Sequence, residues 1–593
     1  MSAWNDMSGL KAALPEPQAN GNQIATQHRT TTDVAAWGKK TENNYDENND
    51  GVEWEGNVKV YEWDGEEGDI GPEMPELEVV LFGDPAKRDP EGIDFNKIDR
   101  INVTQEGIER IQPIGSFKDA GLHPAMLRNV ELMGYKTPTP IQRYCIPTIK
   151  LGYDLLAIAQ TGSGKTAAYL IPIINHLMGK AKKLAAPRPS VAAAAAGAQV
   201  RAEPLVVIIV PARELAVQIF NEARKFCYRT MLRPCVIYGG CPIGMQLDNL
   251  RRGCDILVAS PGRLIDMIER PHILSLRRVK YMVIDEADEM LDSSWQEDFS
   301  KILAGGEQEE GNVKYMLFSA TFPTPVRQLA KQHLAENYVR IKVGRIGSTH
   351  ESIKQDVVWV DPGSKKKALL DLLNSLPPAR TIIFVNSKRT ADELDDFLFN
   401  LDLPCTSMHA DRTQREREDA MRAFRGGKTP LLVATGLTAR GIDVRNVMHV
   451  VNYDLPSMEH GGIQEYIHRI GRTGRMGHQG LATSFYNDRD EPMARQLTMI
   501  LMETGQQIPD FLQAHKPDET DVSKLKFEYD SDEEDAGDGG AWGGNTVQTA
   551  GAGDSWGGNA TETAGGDDGW GNSTAAETPG GNDGWGESGG VDW

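Results

Sequence analysis

Short, largely apolar runs recur along the middle of this chain, separated by longer amphipathic stretches, and no other feature restricts its fold as much. Leu155–Ala159, Leu205–Val210, Cys235–Tyr238, Ile256–Ala259, Tyr281–Ile284 and Tyr315–Phe318 form one series. Val357–Val360, Thr381–Val385, Leu431–Ala434, Val447–Val451 and Ala482–Tyr486 form a second. A strand that is apolar on both faces must be covered on both, so each series predicts a parallel sheet between layers of helix. The fold class expected is therefore α/β, with two tandem domains of similar size joined near Gly344–Glu351. An insert at Gly179–Ala202, which includes the run Ala192–Ala196, reads as a surface excursion of the first domain.

The flanks differ in kind. Residues 1–100 are rich in Asn, Asp, Glu and Gly, and are expected to form a disordered acidic arm because they have little apolar surface to offset chain entropy. Domain one is placed at 101–343 and domain two at 344–515. Residues 516–593 are expected to be a second disordered acidic arm. In it Trp542-Gly543, Trp556-Gly557, Trp570-Gly571 and Trp585-Gly586 recur every 14 or 15 residues, too short and too polar a period for a solenoid unit. The formal net charge of -22 misleads as a whole-chain figure. Residues 1–110 hold 10 Lys and Arg against 24 Asp and Glu, and residues 516–593 hold 3 against 18, which leaves the body between them at about +7. A basic body between acidic arms is compatible with a polyanionic partner. The six cysteines show neither C-x-x-C spacing nor a zinc pattern, and read as reduced thiols. The longest strongly apolar run is too short to span a membrane and no secretory signal is visible, so a soluble cytoplasmic or nuclear protein is expected.

Three motifs carry chemistry. Ala159-Gln-Thr-Gly-Ser-Gly-Lys-Thr166 follows an apolar strand and precedes a helical stretch, the context of a phosphate-binding loop. Backbone N–H groups of Gln160, Thr161, Gly162, Ser163 and Gly164 would wrap the phosphates of ATP, Lys165 would reach the terminal ones, and the Thr166 hydroxyl would hold Mg²⁺. Asp285-Glu286-Ala287-Asp288 follows the strand Tyr281–Ile284, at the sheet edge where ligands of open α/β folds bind. Asp285 suits a metal ion, Glu286 suits activation of the attacking water, and Asp288 is placed with the nucleotide site. An acidic tetrad alone would read as an ordinary helix start. His468-Arg-Ile-Gly-Arg-Thr-Gly-Arg475 lies in the other domain, and Arg472 and Arg475 are assigned as arginine fingers that complete the site on closure. Alone they would read as a solvated basic face.

In order and spacing these motifs resemble those of DEAD-box RNA helicases from Phe117 to about Tyr486. The resemblance implies two tandem RecA-like domains and ATP-dependent separation of short RNA duplexes and remodelling of RNA–protein complexes, with ATP and Mg²⁺ as cofactors. Gly134-Tyr-Lys-Thr-Pro-Thr-Pro-Ile-Gln142 resembles the family's Q-motif, which implies adenine contacts from Phe117, Tyr135 and Gln142. Ser319-Ala-Thr321 resembles the motif that couples hydrolysis to duplex opening. The segment Ala434–Asp443 resembles one touching both ligands, with Asp443 near the ribose and Thr435 near an RNA phosphate. RNA contacts are likewise implied for Pro211, Arg213, Glu214, Gly240, Ser260, Gly262 and Arg263 in the first domain and for Gln414 and Arg417 in the second. Such contacts reach phosphates and riboses and read little sequence.

Gly92-Ile-Asp-Phe-Asn-Lys, Glu222–Arg229 and Asp411–Glu418 resemble the Vasa-like subgroup, and the tail repeats resemble Trp-Gly hooks that bind Argonaute proteins. A monomer is expected, in the cytoplasm, the nucleus or ribonucleoprotein granules. Ala212, Ser260, Ala410, Ser293-Ser294-Trp295 and the stretch Met458–Gly462 depart from the family pattern. Two rival readings are an ATP-gated RNA clamp and an adaptor acting through its tail.

Overall fold

The computed structural model describes residues 101–517, apart from 179–188, 191, 194–195, 291–292, 305–312, 345–351, 440–443, 445 and 476–478. Upstream it describes residues 56, 58–63 and 70–83. Eight strands form the first sheet: β1 (Val103–Glu106), β2 (Leu155–Ala159), β3 (Val206–Ile209), β4 (Pro234–Ile237), β5 (Ile256–Ala259), β6 (Tyr281–Ile284), β7 (Lys314–Ser319) and β8 (Val339–Val343). Their spatial order is β1-β8-β2-β7-β6-β3-β5-β4, parallel throughout except for β1 against β8. The second sheet has six parallel strands: β9 (Ile353–Trp359), β10 (Arg380–Val385), β11 (Cys405–Met408), β12 (Leu431–Thr435), β13 (Val447–Asn452) and β14 (Gly480–Tyr486). They are ordered β11-β12-β10-β13-β14-β9. The expected architecture of two tandem RecA-like parallel-sheet domains is the one observed.

The apolar runs became strands because their side chains have nowhere else to go. β2, β3, β5 and β6 are buried at every position, and their two faces feed two separate core clusters of the first domain. Burial of aliphatic surface on both faces is the main favourable term here. Three strands escaped the apolar criterion. β1 reads Val-Thr-Gln-Glu and β11 reads Cys-Thr-Ser-Met, both polar edge strands. β8 carries Arg340, buried because its guanidinium lies 4.5 Å from the Phe322 ring centroid and pairs with Glu106 at 3.0 Å. A buried cation needs such partners.

The insert at Gly179–Ala202 lies largely outside the described residues, but its end is tied down. Val200 donates to the Arg251 carbonyl at 2.8 Å, and Ala202 is buried and bridges Leu274. Met458–His460 forms a single 3₁₀ turn, and Gly461 at φ +90° redirects the chain into the helix Gly462–Ile470. A left-handed residue at that corner favours glycine. Among the described residues, all six cysteines are free thiols and no helix is long and apolar enough to cross a membrane.

Within the arm placed at residues 1–100, the described stretches 58–63 and 70–83 pack on the first domain. Tyr61, Leu77 and Leu81 are buried against Leu132 and Tyr228, and the helix Pro75–Phe82 begins with Pro at its first turn. Ion pairs Glu62–Arg233 at 2.8 Å and Glu73–Arg229 at 2.7 Å flank the cluster, and Tyr61 donates to the Pro72 carbonyl at 2.9 Å. Average composition hides this strap because a handful of apolar side chains suffices when a preformed surface receives them. Leu77→Ala should therefore destabilise the first domain by about 2 kcal/mol, as a buried leucine truncation does. Chemical denaturation followed by intrinsic fluorescence measures it, and an unchanged midpoint would show that the strap does not dock.

Candidate active site between the two sheets

The phosphate loop turns where its sequence demands. β2 ends at Ala159, the helix Lys165–Met178 opens at Lys165, and Gly162 and Gly164 take φ of +76° and +89°. These angles favour residues without a Cβ, and a Cβ on Gly164 would also fall 2.6 Å from Gln142 Nε2. Gln142 grips this loop: its Nε2 donates to the Gly164 carbonyl at 3.1 Å while its Oε1 accepts from Thr139 N at 3.0 Å. Thr139 Oγ1 donates to the Ser163 carbonyl at 2.8 Å. Phe117 and Tyr135 sit together nearby, ring centroids 6.4 Å apart, with Tyr135 stacked on Phe226 at 6.3 Å. Lys165, almost fully buried, donates to the Ala159 carbonyl at 2.8 Å. Gln160 and Thr161 complete the loop, and Thr161 Oγ1 points at the Gly471 carbonyl of the second domain, 3.4 Å away.

The acidic motif stands at the end of β6. Asp285 Oδ1 accepts from Glu286 N at 2.9 Å, and Oδ2 accepts from the Tyr169 hydroxyl at 3.1 Å. Burial pushes the Asp285 carboxyl above its ordinary range, opposed by the Lys165 charge and the Tyr169 hydrogen bond. Glu286 adopts φ +52°, an unusual backbone for glutamate that its surroundings must hold in place. Burial raises its carboxyl to about 6, with Arg472 opposing. Its Oε2 is buried and has no protein partner, as has Ser163 Oγ. Burial also works against charge on Asp288, but His468 and Thr321 outweigh it and hold that carboxyl well below the usual range. Asp288 Oδ2 accepts from Ala320 N at 3.2 Å, Thr321 N at 2.9 Å and Thr321 Oγ1 at 2.8 Å. Ser319 Oγ donates to the Thr321 carbonyl at 2.6 Å. The structure thus binds Asp288 to the Ser319–Thr321 turn of β7.

The helix Gly462–Ile470 brings the second domain against this motif. His468 Nε2 lies 3.6 Å from Asp288 Oδ2, and Nδ1 pairs with Glu289. Despite the desolvation of burial, Glu289 and Asp288 raise the imidazole to about 10, so it carries a positive charge between the domains. Arg472 is buried, with Nε donating to the His468 carbonyl at 2.9 Å. Burial and the neighbouring Arg475 lower it to about 10, while Glu286 pulls the other way. Arg475 lies over the phosphate loop: a Cβ on Gly162 would come within 2.9 Å of its Cγ. Asp443 lies outside the described residues.

The residues expected to face RNA meet one another across the cleft. Arg213 Nη1 donates to Gln414 Oε1 at 3.2 Å, Gln414 Nε2 donates to Glu214 Oε1 at 3.3 Å, and Arg417 pairs with Glu214 at 2.7 Å. Tyr238, beside Gly239 and Gly240, donates its hydroxyl to Glu418 at 3.0 Å. Gly240 needs φ +83° and packs under Arg213. Pro211 precedes this turn. Ser260 stands at the N-cap position of the helix Pro261–Ile268 without a side-chain capping bond, and space is open above Gly262, where a Cβ would meet nothing within 4 Å. Arg263 Nε lies 3.5 Å from Asp266, and its buried Nη1 has no protein partner. Thr435 Oγ1 lies 3.0 Å from Thr438 Oγ1 at the end of β12. Sequence reasoning missed Thr139, Tyr169, Tyr238, Glu289 and Glu418. Of these only Thr139 carried a readable local signal, the capping-box spacing Thr139-x-x-Gln142 at the start of the helix Pro140–Lys150.

This geometry sets the phosphate-loop turn of the first domain directly beside Gly471 and Arg475 of the second. The DEAD/DEAH box helicase family model matches residues 139–335, and the helicase conserved C-terminal domain matches residues 364–477. Among solved structures, Dbp5 of S. cerevisiae bound to RNA and ADP BeF3 is 28% identical. It is covered over 98% of its length and 68% of this chain, with a TM-score of 0.56. Mss116p bound to ssRNA and AMP-PNP is 28% identical over 66% of this chain and 78% of its own, with a TM-score of 0.55. The RNA helicase Prp28 from Chaetomium thermophilum, bound to ADP, is 31% identical over 72% of this chain and 98% of its own, with a TM-score of 0.36. The chain belongs to the DEAD-box helicases of superfamily 2, and is an ATP-dependent RNA helicase.

The seam between Arg213, Glu214, Gln414 and Arg417 should stabilise the closed arrangement of the two domains. Arg417→Ala leaves the nearly buried Glu214 carboxylate without its cation, a loss of about 2–5 kcal/mol for such pairs. Energy transfer between dyes on the two domains, measured with RNA and a non-hydrolysable ATP analogue, should fall in the variant. Unchanged transfer would remove the pair from closure.

Proposed function

We propose that this helicase separates short RNA duplexes and strips bound proteins by closing its two domains around ATP and RNA. The observation that carries the reading is the shared seam: Asp288, Thr321 and His468 meet at the same interface as the phosphate loop and Arg475. Hydrolysis at one end of that interface removes the reason for the domains to stay together at the other. The match to Dbp5 with RNA and ADP BeF3 supports this ligand pair.

The roles follow from position. Lys165, Gln160, Thr161, Gly162, Ser163 and Gly164 would cradle phosphates, and Phe117, Tyr135 and Gln142 would take the adenine end. The donor set fits a divalent cation, since Thr166 and the buried Asp285 carboxylate lie beside the phosphate loop with hard oxygen ligands. Mg²⁺ there would neutralise phosphate charge. Glu286, with its orphan oxygen and raised proton affinity, would accept the proton of the attacking water. Arg472 and Arg475 would meet the charge that grows on the transferred phosphoryl group. RNA would lie along the loops of Pro211, Gly240, Ser260, Gly262, Arg263 and Thr435, held by its backbone. Membership of the Vasa-like subgroup, residence in the cytoplasm, nucleus or ribonucleoprotein granules, and capture of an Argonaute-like partner by Trp542, Trp556, Trp570 and Trp585 rest on sequence pattern. Those tryptophans lie outside the described residues.

Lys165→Ala should abolish ATP binding, whereas Glu286→Gln should keep binding and stop turnover; Arg472→Ala and Arg475→Ala should slow hydrolysis by roughly 10³-fold with nucleotide-free RNA affinity unchanged. Equilibrium ATP binding and steady-state ATPase rates test all four, and normal turnover in Glu286→Gln would overturn the assignment.

Removing 516–593 should tighten nonspecific RNA binding at low salt, because its acidic residues compete with RNA for the basic body. Screening extends over roughly 30 Å at 0.01 M salt and about 10 Å at 0.1 M, so the difference should shrink as salt rises. Fluorescence anisotropy at the two salts measures it, and equal affinities at both would refute the competition.

A further inference from the structure

Tyr169 lies in the second turn of the helix that follows the phosphate loop, fully buried, and its ring centroid sits 5.0 Å from that of Phe318 on β7. Its hydroxyl donates to Asp285 Oδ2 at 3.1 Å. The Thr166 side chain stands beside the same hydroxyl, three residues earlier on the same helical face. The two side chains assigned to the cation therefore flank one phenolic oxygen, which hydrogen-bonds Asp285. Asp285 Oδ1 is held by the Glu286 backbone N–H, so without Tyr169 the carboxylate would be fixed on one side only.

We propose that Tyr169 is a positioning residue for the divalent cation, orienting the Asp285 carboxylate and the Thr166 hydroxyl together before the metal–nucleotide complex arrives. The proposal rests on the assignment of Thr166 and Asp285 to Mg²⁺. A buried carboxylate with two donors keeps one rotamer, and the cation meets ligands already aimed. The packing of Phe318 fixes the ring, and Phe318 adjoins Ser319, so the hydroxyl is set from the strand that also carries the Ser319–Thr321 turn.

Tyr169→Phe removes one oxygen and keeps the ring against Phe318, and far-UV circular dichroism should match wild type. Binding of a fluorescent ATP analogue is titrated with Mg²⁺, in wild type, Tyr169→Phe and Asp285→Asn. The Mg²⁺ concentration for half-maximal effect should rise roughly three- to tenfold in Tyr169→Phe, the scale of one ordinary hydrogen bond lost. Nucleotide affinity in excess EDTA and RNA affinity should stay unchanged. Superimposable Mg²⁺ titrations of wild type and Tyr169→Phe, with Asp285→Asn shifted, would overturn the role of Tyr169 alone. A wild type indifferent to Mg²⁺, or Asp285→Asn matching wild type, would overturn the metal assignment beneath it.

Discussion

One buried carboxylate holds the working parts of this helicase in register. Asp288 accepts three hydrogen bonds from Ala320 and Thr321 on the first domain and faces the charged His468 of the second. A carboxylate so deep in protein is tolerated only with donors and a cation around it. Those partners belong to two chain segments besides its own, so satisfying this single charge fixes the end of β6, the end of β7 and the helix Gly462–Ile470 against one another. Arg472 and Arg475, proposed to meet the nucleotide from the second domain, follow just after that helix.

The other half of the interface uses the same physics with different chemistry. Arg213, Glu214, Gln414, Arg417, Tyr238 and Glu418 form a polar seam in which side chains of each domain answer those of the other. Polar seams of this kind are specific in geometry and cheap to open, because water can replace each partner once the domains part. An apolar interface of equal size would hold the domains together in every nucleotide state. A machine that must cycle is better served by charges and amides than by leucines.

The strap Tyr61–Leu81 shows a different economy. Its few apolar side chains occupy a site made of Leu132 and Tyr228 on the outside of the first domain, remote from β6 and β7 in the chain. The ion pairs to Arg229 and Arg233 align it. The strap thus adds packing to the first domain.

The sequence by itself determined the strands that are buried on both faces, since β2, β5 and β6 fall on the apolar runs that announced them. It also placed Gly162 and Gly164 in the phosphate-loop turn and suggested the roles proposed for Lys165, Asp285, Glu286, Arg472 and Arg475, because the three motifs occur together in one order and spacing. Only tertiary structure decided what is polar or charged yet buried: β8 with Arg340, the strap, the hydroxyl of Tyr169 on Asp285, and Glu289 beside His468. The physical reason is the range of the interactions. Hydrophobic periodicity and backbone angles are local and can be read within a few residues, whereas a buried polar group is made tolerable by partners that may lie 100 residues or more away, such as Asp285 for Tyr169, and no local pattern records them.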